Sequence, residues 1–456
     1  MMGSMDLATI ASKLGAEYRG PSLLPLGASI DSRRIAEGDL FFALPGEHVD
    51  GHDYVDAAAS AGAIAAVVDH AVETTLPCLE VDDVAQALAT LGKKNREAFR
   101  GRLVAITGSC GKTSVKNICD SIFSDQGSTV ATLGNYNNEL GVPLTLARLS
   151  DETQFAVIEM GAKHRGDVAY LCELAQPQVT VVLNAMEAHI EGFGSVAGVA
   201  DIKAEIYDGL SAAGVAVLNL DEQWAELWQH RIESAGASIL TFSLAHEAHV
   251  RASDIRPLGL GGSEFRLHLE GDTREVHLPL PGRHNVANAL AAAALSYGAG
   301  LTIDVIARGL EAARGEPGRL QSERLENGTV LVDDTYNANP GSVRAAIDLL
   351  ADTAGQRMLI LGEMLELGEN GERWHAEMGE RAREKGIESF VGVGDALQPA
   401  VHAFGEDARW YPSQQELGAD GQLLLDMADT ILVKGSRGTA MERTLQSLRS
   451  SAEGEA

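Results

Sequence analysis

Residues 102–116, RLVAITGSCGKTSVK, run an apolar β-branched segment into a glycine-bounded turn and then into a helical pattern. That order commits the surrounding chain to an α/β arrangement. A strand-to-helix turn of this kind aims successive backbone N–H groups, and the positive end of a helix, at a single anion. Gly108 and Gly111 let the backbone approach a polyphosphate closely, and Ser109, Cys110 and Ser114 complete the loop. Lys112 supplies a point charge, and the hydroxyl of Thr113 is suited to Mg²⁺. The usual phosphate-loop pattern asks for a glycine six residues before the lysine, where this chain has Ile106. Every group that would touch phosphate is still present, so the stretch predicts a nucleoside-triphosphate site. The competing reading is a tight turn with a solvated lysine. Neither reading names a reaction.

The same alternation of short β-branched runs and Ala-rich helical stretches continues through FAVIEM, VTVVLN and VAVLNL, which predicts βαβ units and a mostly parallel sheet. Between Val250 and Pro281 the period changes to two, in FRLHLEG and REVHLPL, predicting antiparallel hairpins added to that sheet. A long Ala-rich helix is expected over 285–297, and RGEPGRLQ, residues 314–321, reads as a linker. Beyond it the rhythm restarts with TVLVDDTY, RMLILGEM, SFVGVGD and TILVKGS. Before residue 100, DLFFALPG and DYVDAAASAGAIAAVV give a strand and then a helix–strand pair. The expected fold class is α/β in three domains. These are a small N-terminal α/β domain over 1–100, a central phosphate-loop domain over 101–315, and a doubly wound, Rossmann-like domain over 316–456.

Charge narrows the partners. With 65 acidic against 36 basic residues and a net charge of −29, no polycationic face is available for nucleic acid or anionic membrane, so an anionic ligand must be gripped locally. Four scattered cysteines without a C-x-x-C pair suggest neither a disulfide framework nor a zinc site, which fits a reducing compartment. No apolar run approaches the roughly 20 residues that span a bilayer, and the signal-peptide layout is lacking. A cytoplasmic protein is expected, without membrane insertion.

Several polar residues fall where open α/β sheets bind ligands, at or beyond the carboxyl ends of strands. Glu159 ends FAVIE and is placed for Mg²⁺ or simply for solvent; His189 lies just past VTVVLN and is a ligand or a surface residue. Lys203, in ADIKAEIYDGL, reads as a helix lysine. Asn285 and Asn288, three apart, share one helix face and could meet a purine edge, or Asn285 could cap the helix. DDTYNANPGS, residues 333–342, reads as a binding edge, and VKGSRG, residues 433–438, as a turn or as an anion site built on Lys434, Ser436 and Arg437.

These stretches resemble the Mur ligases, ATP-dependent amide-forming enzymes of peptidoglycan assembly. NYNNELGVPLTL (135–146), EMGAKHRGD (159–167), AHIEGFGSVAGVADIKAEIYDGL (188–210), DDTYNANPGSV (333–343) and LGEMLELGE (361–369) are similar to the branch that adds D-alanyl-D-alanine. The resemblance explains Ile106, because the family's loop is the shorter G-x-x-G-K-[ST], matched by Gly108 to Thr113. It implies ATP and Mg²⁺ as cofactors, with UDP-MurNAc-tripeptide and D-Ala-D-Ala as substrates. It also implies a monomer serving cell-wall synthesis and, through it, cell shape and division. Lys112, Glu159, His189 and Lys203 are implied as catalytic, with Thr113, Glu159, His189 and a carbamylated Lys203 around the metal. Asn285, Asn288, Arg319, Asp334, Asn337 and Asn339 are implied to face nucleotide. Ser32 and Arg33 would meet the uridine diphosphate, and Lys434 and Ser436 the substrate. The chain departs from the pattern at Glu363, where aspartate is expected, and at Met186 and Glu187, where relatives often have smaller residues.

Overall fold

The computed structural model describes residues 5–18, 20–46, 49–186 and 193–453. Where β-branched runs recur, the chain builds three separate sheets of four, nine and six strands. The first is all parallel and in sequence order: Gly27–Ser29, Asp39–Phe42, Ala65–Val68 and Cys78–Glu80. Because strand side chains alternate, Leu40 and Phe42 face a core with Leu7, Ile10, Leu88 and Leu91, while Phe41 faces another with Val55 and Ala58.

Residues 102–278 form the nine-stranded sheet. Arg102–Thr107 lies between Phe155–Glu159 and Val179–Val182, parallel to both. Its own alternation serves two cores. Val104 and Ile106 meet Ile118 and Ile122 of the helix Lys112–Ser124, while Leu103 and Ala105 meet Ile158, Leu171 and Tyr207. The expected hairpins are Val250–Pro257, Ser263–Leu269 and Asp272–Leu278, paired antiparallel to one another. They extend the sheet instead of standing apart from it, since Val250 and Arg251 pair parallel with Phe242 and Ser243. The helix Arg283–Gly298 buries Ala289 to Ala294 completely because it lies between the sheet and the loop helix, and alanine's small size lets both approach.

The third sheet runs Gln321–Arg324, Val330–Asp334, Thr430–Lys434, Arg357–Gly362, Ser389–Val393 and Ala408–Tyr411; its first pair is antiparallel and the rest parallel. The expected linker is thus one residue shorter, because Gln321 already pairs with Asp333. The short antiparallel strand escapes a periodicity reading, since QSER has no apolar face.

Helix Val84–Ala98 fastens the first unit to the second. Asn95 Nδ2 donates to Ala147 O at 2.7 Å, and the Arg96 guanidinium donates to Ala175 O at 2.5 Å and to Gln176 O at 2.6 Å. Those two carbonyls end the helix Asp167–Ala175, where Gln176 takes the left-handed turn usual for glycine and the buried arginine satisfies the freed carbonyls. No helix among the described residues is long and apolar enough to cross a membrane.

In the third unit, helix Gly371–Glu384 crosses Gln398–Phe404 so closely that a Cβ on Gly379 would lie 1.9 Å from Ala400 O. Alanine ordinarily stabilises a helix interior over glycine by about 1 kcal/mol. Gly379→Ala is expected to reverse that sign and cost about 1–3 kcal/mol in urea unfolding, through overpacking against backbone that has nowhere to move. A stabilised variant would show that the two helices separate.

Candidate functional site

Strand register brings the site together. Glu159 pairs with Ile106, and Val182 with Thr107, so the loop after residue 107, the Glu159 carboxylate and Asn184 emerge side by side at one sheet edge. The loop enters its helix through Gly111, whose φ of +84° suits glycine and whose Cβ would fall 2.5 Å from Asn288 Oδ1. Asn184 fixes the loop from the other side: its Oδ1 accepts from the Cys110 N–H at 2.9 Å and its Nδ2 donates to Cys110 O at 3.1 Å. Ser109 Oγ accepts from the Met186 N–H at 3.0 Å.

Lys112 folds back, donating to Gly108 O at 2.7 Å; burial lowers its pKa, and the nearby Glu159 carboxylate opposes that shift. Glu159 is 2 % exposed. Its Oε1 accepts from Asn137 Nδ2 at 2.7 Å, while Oε2 is buried without a hydrogen-bond partner. A desolvated carboxylate oxygen with no donor is costly unless something positive reaches it. This orphan, lining the same cavity as Thr113 at the helix start, fits a hard divalent cation with oxygen ligands.

The third unit closes over this edge. Arg319 donates to Thr113 Oγ1 at 3.1 Å, with its guanidinium 4.0 Å from the Tyr336 ring centroid. Asn339 Nδ2 donates to the Cys110 thiol at 3.2 Å. Asp334 and Lys434 are register partners on neighbouring strands; Lys434 Nζ donates to Asp334 Oδ2 at 2.6 Å and to Asn337 O at 2.8 Å. Between the two units lies a cavity of about 960 Å³, reached by Lys112, Thr113, Glu159, Asn288, Arg319 and Asp334.

Residues 106–296 match the Mur ligase middle domain, 318–437 the Mur ligase glutamate ligase domain and 27–96 the Mur ligase family catalytic domain. The UDP-N-acetylmuramoyl-tripeptide–D-alanyl-D-alanine ligase of Escherichia coli (strain K12) is 41% identical over 451 residues, covering 98% of this chain and 99% of its own. The chain belongs to the Mur ligase family. The Bacillus subtilis (strain 168) ligase of the same name is 31% identical, covering 92% of this chain and 93% of its own. MurF from Acinetobacter baumannii superposes with a TM-score of 0.88 at 32% identity, covering 96% of this chain and 97% of that one. MurF from Thermotoga maritima, solved in complex with ADP, gives 0.79 at 25% identity, covering 96% of this chain and 100% of that one. A Mycobacterium tuberculosis folylpolyglutamate synthase shares the fold, with a TM-score of 0.65 at 20% identity over 80% of this chain and 94% of that one.

In this Mur ligase Lys203 ends the helix Val196–Lys203 at 2 % exposure, so it is not the solvated lysine a helical pattern suggests. Burial, reinforced by Lys112, lowers its pKa to about 7. Asn285 does not cap its helix, since the N-cap is Gly282; its Nδ2 donates to Pro281 O at 2.7 Å and its Oδ1 accepts from Asn288 at 3.0 Å. His189 lies outside the described residues. Ser32 and Arg33 do not line the cavity; they form a short 3₁₀ turn in which Arg33 bonds Asp31 at 2.9 Å with its side chain in solvent. Ser436 does not line this cavity, and its hydroxyl donates to Ala338 O at 3.0 Å and accepts from the Leu365 N–H at 2.9 Å.

Sequence reasoning passed over Asn137, Asn184 and Tyr336, although each has a signal: Asn184 ends the run VTVVLN, and the other two lie inside motifs quoted for their length. It also passed over Glu222, which lines the cavity with its pKa raised to about 7 by burial.

Lys434 reaches the cavity edge already neutralised. Removing one partner of a buried pair leaves an uncompensated charge, so Lys434→Met is expected to cost about 3–5 kcal/mol in urea denaturation. Adding Asp334→Asn should recover part of the loss. A cost near zero would mean that the ammonium is free to serve a substrate anion instead.

Proposed function

We propose that this chain joins D-alanyl-D-alanine to UDP-MurNAc-tripeptide at the expense of ATP, giving UDP-MurNAc-pentapeptide, ADP and phosphate for peptidoglycan synthesis in the cytoplasm. The observation that carries this reading is the single cavity shared by the phosphate loop, the orphaned Glu159 oxygen and the Asp334–Lys434 edge of the third sheet. A triphosphate, a carboxylate and an amine must meet there out of water. Residues 1–100 would hold the UDP-sugar, with Ser32 and Arg33 near the diphosphate, 101–315 the ATP, and 316–456 the dipeptide.

A carboxylate is a poor electrophile, so the tripeptide's terminal carboxylate first attacks the γ-phosphate to form an acyl phosphate. Lys112, turned away from Gly108 O, meets charge spreading over the phosphoryl oxygens. Loop N–H groups from Ser109 to Ser114 hold the remaining phosphates, Asn285 and Asn288 lie at the base side, and Arg319, Asn337 and Asn339 close from the third unit. The dipeptide amine then displaces phosphate through a tetrahedral intermediate. Thr113, Glu159, His189 and Lys203 as its carbamate would hold Mg²⁺, which when bound neutralises phosphate charge. A plain Lys203 ammonium would oppose both Lys112 and the ion, whereas a carbamate is an anionic oxygen ligand.

Two measurements test this. Lys112→Ala should abolish phosphate release while unfolding stays cooperative, and the product formed from ATP, D-Ala-D-Ala and UDP-tripeptides ending in diaminopimelate or lysine should carry the dipeptide by mass spectrometry. Turnover of ATP without any amine would point to a kinase or simple NTPase instead. Separately, ¹³C-bicarbonate should give a carbamate carbonyl resonance that disappears in Lys203→Ala; a spectrum identical in both proteins would leave Lys203 as an amine.

A further inference from the structure

Glu159 is held on three sides before any ligand arrives. Its backbone N–H donates to Thr132 Oγ1 at 3.0 Å, its strand pairs in register with the strand that feeds the phosphate loop, and Oε1 accepts from Asn137 Nδ2 at 2.7 Å. A carboxylate only accepts, so the Asn137 amide must turn its NH₂ toward Glu159 and its Oδ1 toward Gly161. Gly161 makes room for that Oδ1: a Cβ there would stand 2.6 Å from it. The Asn137 backbone is fixed as well, its N–H donating to Asn135 O and its carbonyl accepting from the Gly161 N–H, both at 2.8 Å. One Glu159 oxygen is thereby occupied, and the other is buried, unpartnered and at the cavity wall.

We infer that Asn137 is a positioning residue, whose side-chain amide engages one oxygen of Glu159 and thereby aims the other at the divalent cation. The inference rests on the reading of Glu159 as a Mg²⁺ ligand. Without the amide, the carboxylate is free to rotate about its last torsion, and Oε1 joins Oε2 as a buried acceptor lacking a donor. Groups that orient a metal ligand in this way typically change metal affinity 10–100-fold when removed. Asn137 itself contributes no ligand atom to the ion.

The test uses the full chain with ADP and Mn²⁺ as probe, free Mn²⁺ being read by electron paramagnetic resonance. Asn137→Ala should weaken Mn²⁺ binding to the ADP complex about tenfold while leaving metal-free ADP affinity unchanged. In a Glu159→Ala background the same substitution should add nothing further, because no carboxylate remains to be aimed. Equal losses in both backgrounds, or undiminished Mn²⁺ affinity in Asn137→Ala, overturns the inference. Should Asn137→Ala not fold, Gly161→Ala displaces the amide without deleting it and should weaken Mn²⁺ in the same direction; unchanged affinity there overturns it equally. If Glu159→Ala itself leaves Mn²⁺ binding intact, the assignment of Glu159 as ligand falls, and this inference with it.

Discussion

The site depends on the pairing of strand Arg102–Thr107 with a parallel neighbour on each side. Parallel strands end at the same edge, and the register Ile106 to Glu159 and Thr107 to Val182 decides which residues end there together. A slip of one residue would turn Glu159 from the cavity to the core, because successive side chains point to opposite faces. The register is secured by burial on both faces: Val104 and Ile106 on one side, Leu103 and Ala105 on the other. An apolar core in two layers is therefore what sets the distance between a phosphate loop and a carboxylate.

The second constraint is that the site is completed from two units. Arg319 carries this, since it lies between Gly318 and Leu320, both with positive φ (+76° and +55°), and reaches Thr113 while stacking on Tyr336. The tight backbone on either side fixes where the arginine leaves the chain, and the Tyr336 N–H donating to Gly318 O at 3.0 Å ties the same turn to the third sheet. The connection between units is thus also part of the cavity wall. A change in their relative position would move a cation relative to the phosphate loop.

Much of this could be read from the residues, and the exceptions have physical causes. The three sheets followed from hydrophobic period, because strands buried on both faces are continuous apolar runs bounded by glycine. The strand Gln321–Arg324 did not, since its polar side chains carry no such pattern and only its pairing with Val330–Asp334 makes it a strand. Glu159 and Lys112 were visible as charges at a strand's end and a helix's start. Asn137 was not, because an amide in a turn has no period and no charge, and its importance appears only when Glu159 Oε1 is found 2.7 Å away. At Lys434 and Ser436 the sequence shows a cation and a hydroxyl but cannot display Asp334 across the sheet or the Leu365 N–H that the hydroxyl meets.

The pairing of Lys434 also bears on how so acidic a chain handles anions. With a net charge of −29, the long-range field opposes the approach of a triphosphate, and a screening length of about 8 Å at physiological ionic strength limits that opposition to short range. Attraction must then come from groups within contact distance. Of the cations at the cavity, Lys434 is matched by Asp334, and Arg319 donates to Thr113 Oγ1 with a Glu316 carboxylate oxygen 3.5 Å from its Nε, while Lys112 rests on Gly108 O, a neutral acceptor. A phosphate oxygen can replace a neutral acceptor at little cost, but displacing Lys434 would strand Asp334 as a buried carboxylate. The arrangement therefore separates two kinds of cation at one edge: Lys112, which rests on a neutral acceptor that an anion can replace, and Lys434, which ties Asp334 and Asn337 O together along the third sheet's rim.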